Sequence, residues 1–149
     1  MGRFVSTKIF DNYSVSLRQW KAQHSHCKLQ HGYALRFKVW FTAKELDDMN
    51  WICDFGGFNH NGLKDWMNDM FDHTVLLQAN DPYRDYFESG AMEGVMKIHF
   101  LERMGCESLA KMVFDKFNEV LSKTDAGRCR VIRVECFEND KNSAIYEED

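Results

Sequence analysis

The stretch "YALRFKVWFT", residues 33–42, sets Tyr33, Leu35, Phe37, Val39 and Phe41 against Ala34, Arg36, Lys38, Trp40 and Thr42. A period of two with the apolar side chains on one side specifies a β-strand with one face buried. Working outward, "YSVSLRQWKAQH" (13–24) is its antiparallel partner, with 25–30 as the connection. Residues 106–121, "CESLAKMVFDKFNEVL", put Leu109, Met112, Val113, Phe117, Val120 and Leu121 on one helical stripe. Gly127 is a natural stop for that helix. A shorter helix is expected from about Asn61 to Phe71, and a helical turn or two over 82–90, opened by Pro82. "VMKIHF" (95–100) and "CRVIRVECFE" (129–138) read as strands from alternation and β-branching. The order β-β-α-(α)-β-α-β implies an α+β fold, a largely antiparallel sheet covered by helices on one face.

At 149 residues, with an apolar share of 44%, a charged share of 28% and one proline, the chain reads as a single folded domain over 1–149. A net charge of −4 argues against a nucleic-acid partner, which needs a concentrated basic face. No apolar run reaches membrane-span length and no signal-peptide core opens the sequence, so no membrane partner is expected. Five cysteines without a C-x-x-C spacing read as reduced thiols in a cytoplasmic setting.

Just ahead of the strand, "QHSHCKLQHGYAL" (23–35) packs three histidines and a cysteine into eight positions. Imidazole and thiolate are preferred zinc ligands, and ligands two apart on a strand share a face. If the first strand continues to His26, then His24 and His26 project together, and the hairpin brings His31 near them. The spacing serves a solvated polar hairpin equally well. The paired thiolates of a zinc finger are missing, and the local signature of a papain-like Cys–His pair is absent.

At these residues the sequence resembles the 6-pyruvoyltetrahydropterin synthase and 6-carboxytetrahydropterin synthase family. Trp20-Lys-Ala-Gln-His24 is similar to the family's aromatic-x-A-x-H strand end, and Cys27-Lys-Leu-Gln-His31-Gly32 to its C-x-x-x-H-G-H, with Tyr33 in place of the last histidine. "NWICDFGG" resembles G-x-V-x-D-F, "FDHTVLL" the L-D-H-x-x-L-N segment, "GCESLAK" P-T-x-E, and "VIRVEC" V-x-V-x-E-T, with "AIY" near the end. These blocks lie in family order over residues 20–146. Leu77 stands where the family has Asn, Gly105-Cys106 where it has Pro-Thr, and Cys136 where it has Thr.

The resemblance implies a tunnelling fold, a four-stranded antiparallel sheet with two helices on one face, assembling into a barrel as a homo-oligomer, a hexamer in relatives. It implies a zinc-dependent lyase acting on 7,8-dihydroneopterin triphosphate to give 6-carboxytetrahydropterin in 7-deazaguanine (queuosine) biosynthesis. The alternatives are the 6-pyruvoyl product, or a catalytically silent pterin-binding protein that has lost zinc. By the same resemblance zinc is held by His24 and His31; Tyr33 stands where relatives carry the third histidine, and His26 is the nearest candidate to fill its place. Cys27 is the base, Asp72 and His73 are a proton-shuttling pair, and Glu135 and Glu107 hold the pterin. Asp54 is expected to cap backbone amides in its turn.

Overall fold

The computed structural model describes residues 2–149. Strands β1 (Ser6–Leu17), β2 (His31–Ala43), β3 (Thr74–Gln78), β4 (Ile98–Leu101), β5 (Cys129–Phe137) and β6 (Ser143–Glu147) form one sheet. Their order is β4-β3-β1-β2-β5-β6. Pairing is antiparallel from β1 through β2 and β5 to β6, and parallel from β1 to β3 and β3 to β4. Among the described residues the sheet is therefore mixed and six-stranded, with three α-helices: α1 (Leu63–Phe71), α2 (Arg84–Met92) and α3 (Cys106–Leu121). That corrects the expected four antiparallel strands with two helices.

The strand over 33–42 falls inside β2, with Leu35, Phe37, Val39 and Phe41 buried. Opposite them Phe10, Tyr13, Val15 and Leu17 of β1 face the same core. α1 buries Leu63, Met67 and Phe71, spaced four apart on one stripe. α3 spans the expected residues and buries Leu109, Val113, Phe117 and Leu121. Phe41, Phe58 and Phe117 meet ring to ring between sheet and helix, with centroids 5.5 to 6.3 Å apart. Asn118 then ties α3 to β5. Its side-chain amide donates to Val131 O at 3.0 Å and its carbonyl accepts from Val131 N at 2.8 Å. These bonds satisfy backbone groups beside the bulge where the β2–β5 register shifts.

Four other expectations shift. β1 starts at Ser6 and ends at Leu17, not at residue 24, so the connection to β2 covers residues 18–30. α3 ends at Leu121, capped at Ser122; Gly127 instead closes the following short turn with φ +70°. α2 begins two residues after Pro82 and runs through Met92. β3 and β6 have no counterpart among the expected strands. Asp54 does cap its turn, accepting from Gly56 N at 3.0 Å. Among the described residues no helix is long and apolar enough to cross a membrane.

Candidate functional site

The 18–30 connection leaves the sheet because Arg18 turns away to Asp81. The Arg18 guanidinium donates to both Asp81 oxygens at 2.7 Å and to Lys28 O at 3.0 Å. The Asp81 side chain has no exposed surface and that of Arg18 is 14% exposed. Burial pushes the Asp81 carboxyl up, but bonds from Arg18 and the Tyr83 amide, with the guanidinium charge, hold it below the usual range. A bidentate, charge-assisted pair of this kind fixes direction as well as distance. Gln19 N then donates to Cys27 O at 2.7 Å, closing the connection on itself. Ser25 caps the short turn His26–Lys28, its hydroxyl accepting from Cys27 N at 3.1 Å.

This geometry places Cys27 at a cavity of about 270 Å3 at the end of the sheet. Leu17, Tyr33, Gly105, Cys106, Glu107 and Glu138 also line it. Glu107 stands in the first turn of α3, where a carboxylate is favoured by the helix dipole. Glu138 follows β5, and its amide donates to Asn142 O at 3.0 Å in the hairpin to β6. Burial, then the negative charge of Glu138, pushes the Tyr33 phenol up to about 12. The Cys136 thiol donates to Cys106 and is buried, and both effects hold it well above the ordinary thiol range; the same bond lowers Cys106.

Among the expected site residues, Cys27 and Glu107 share this cavity. Glu135 does not line it. On β5, Val134 and Cys136 are buried while Glu135 lies on the other face, opposite Lys38, accepting from Ser143 Oγ at 2.7 Å. Glu138 is the carboxylate that the hairpin brings to the cavity instead. Asp72 and His73 sit between α1 and β3, away from the cavity walls. Asp72 Oδ1 accepts from His73 Nδ1 at 2.7 Å, which leaves Nε2 as the free acceptor. His73 has φ +57°, and its side chain is 84% exposed.

The three histidines do not converge. With β1 ending at Leu17, His24 and His26 lie in an exposed turn rather than on a strand. Among the described residues no three His, Cys, Asp or Glu side chains are grouped to hold a metal ion. The positions on one side of this sheet end are Leu17, its cross-strand partner His31, which is exposed, and Tyr33. His31 Nδ1 donates to Leu29 O at 2.7 Å, and its ring lies 4.5 Å from that of Tyr33. A leucine supplies no donor atom, and a neutral phenol is a poor zinc ligand. The residues present do not fit the zinc that the resemblance implies.

The family model described as 6-pyruvoyl tetrahydropterin synthase matches residues 6–149. The chain belongs to this family. Over 55 residues it is 29% identical to 6-carboxy-5,6,7,8-tetrahydropterin synthase of Rickettsia bellii (strain RML369-C), a match covering 37% of this chain and 39% of that relative. An uncharacterized protein of Wolinella succinogenes superposes over 100% of both chains with a TM-score of 0.82 at 18% identity. The 6-pyruvoyl tetrahydropterin synthase of Caenorhabditis elegans does so over 100% of both chains with a TM-score of 0.63 at 17% identity. At those identities the likeness is one of fold.

Proposed function

We propose that this family member takes a 7,8-dihydropterin into the Cys27 cavity and acts as a lyase on its C6 side chain. Its reaction is of the 6-carboxytetrahydropterin synthase type, with 7,8-dihydroneopterin triphosphate as substrate. The observation that carries the reading is the meeting of a thiol with two carboxylates, Glu107 and Glu138, in one cavity. A pterin ring presents an amino group and ring N–H donors, which a carboxylate accepts at two points. Cys27 is the base for the side-chain proton, being the thiol that the 18–30 connection brings to the cavity. Asp72 holds His73 in the tautomer whose Nε2 can accept a proton. In this reading the pair serves the cavity of a neighbouring subunit, and the protein is a trimer or a hexamer of two trimers.

A second reading, a pterin-binding protein without turnover, is favoured by Leu17 and Tyr33 flanking His31. The two readings part on product analysis. Incubation with 7,8-dihydroneopterin triphosphate is expected to yield 6-carboxytetrahydropterin. A 6-pyruvoyl product would change the product assignment, and bound but unchanged substrate would favour the second reading. Sedimentation showing a monomer that still turns over would refute the shared site.

A further inference from the structure

We propose that this cavity works without a bound metal ion. Positions 17, 31 and 33, which share a side at the sheet end, carry a single imidazole between them, the exposed His31. A three-histidine face on this sheet requires donors that share a side of the hairpin and lie within reach of one ion. Cross-strand partners share a side, with Cβ atoms about 5 Å apart, and so do residues two apart on one strand. Around His31 those positions are 17, its partner on β1, and 33, two along β2. Leu17 is buried in the core and Tyr33 is half-buried against the same core.

His24 and His26 do not replace the missing donors. The Arg18–Asp81 pair draws the chain off the sheet immediately after Leu17, and six residues lie between Leu17 and His24. The turn that follows is closed by its own bonds, Gln19 N to Cys27 O at 2.7 Å and Leu29 N to His26 O at 2.9 Å. The connection is thus folded about Cys27 and presents that thiol to the cavity, while both histidines stay exposed. In place of a cation, the side chain of a bound ligand meets the Tyr33 hydroxyl and the Cys27 thiol. The ligand's oxygens are then held by hydrogen bonds alone.

This inference rests on the pterin reading only for where the site lies. Metal content is measured with no pterin present, so the two can fail separately. Protein from zinc-supplemented medium, dialysed without chelator, is assayed by plasma mass spectrometry and then titrated with Co2+. The wild type is expected to hold far less than one metal per chain and to give no visible d–d absorption. Leu17→His/Tyr33→His, which completes a face with His31, is expected to take up one Co2+ per chain with the intense bands of a tetrahedral site. One zinc per wild-type chain, lost in His31→Ala, would overturn the proposal, and this measurement stands even if the double variant does not fold. A double variant that keeps the wild-type circular dichroism but binds no cobalt would overturn the assignment of positions 17, 31 and 33.

Discussion

The substitution Asp81→Asn should weaken the fold by removing the charge that Arg18 faces while keeping the shape. The oxygen of the new side-chain amide can still accept from the Tyr83 N–H, but its nitrogen would point donors at Arg18 donors. The Asp81 carboxylate is fully covered and Arg18 is nearly so. Removing one partner of a buried pair costs about 3–5 kcal/mol, and the residual exposure of Arg18 places this case near 3 kcal/mol. For a chain of this length that is a fall in Tm of about 6–12 °C. The Asp81 carboxyl is held below its unfolded value of about 3.9, so its contribution is fully present above that pH. It is lost as pH falls through the folded value. Urea unfolding of wild type and Asp81→Asn should therefore differ most near neutrality and converge in acid. Arg18 also holds Lys28 O, next to Cys27, so the Cys27 thiol should react faster with a disulfide reagent in the variant. Equal stabilities at neutral pH, or a gap that does not change with pH, would refute the reasoning.

Ultraviolet titration should show Tyr13 and Tyr33 ionising late, both pushed up to about 12, chiefly by burial, and the bond between Tyr146 and Glu148 raises Tyr146 as well. Glu138→Gln should bring Tyr33 part of the way down. Because both folded values are raised, the fold should lose stability as pH rises from about 10 toward 12; a flat stability profile there would contradict the burial of both rings. Gly105, at φ +118° and ψ 157°, occupies backbone that is essentially glycine's alone, and a Cβ there would meet the Gln19 amide at 3.0 Å. Gly105→Ala should cost about 1–3 kcal/mol and displace Glu107 at the cavity, measured as a lower urea midpoint together with weaker pterin binding.

β2 and α3 were legible because each carries an unbroken period, two along one and 3.6 along the other. β3 was not, because "TVLL" in a parallel strand next to the core shows no alternation. β6 is a five-residue edge strand with a polar face, and without it the hairpin that aims Glu138 at the cavity was hidden. The turn-rich run Glu138-Asn-Asp-Lys-Asn142 was the available signal for that hairpin. The end of β1 depends on Arg18 pairing with Asp81, 63 residues away, which no local pattern encodes. That one long-range pair separates the histidine spacing in the sequence from the placement of His24 and His26 in the fold.

The choice of carboxylate that receives the pterin is the most direct test of the site. Calorimetric titration of 7,8-dihydroneopterin into wild type, Glu138→Gln and Glu135→Gln compares the cavity carboxylate with the one on the opposite face. Binding by the wild type, loss of at least tenfold in affinity in Glu138→Gln, and near-wild-type affinity in Glu135→Gln are predicted, tenfold being about 1.4 kcal/mol for one lost charge-assisted contact. Unchanged affinity in Glu138→Gln, or loss confined to Glu135→Gln, would contradict it.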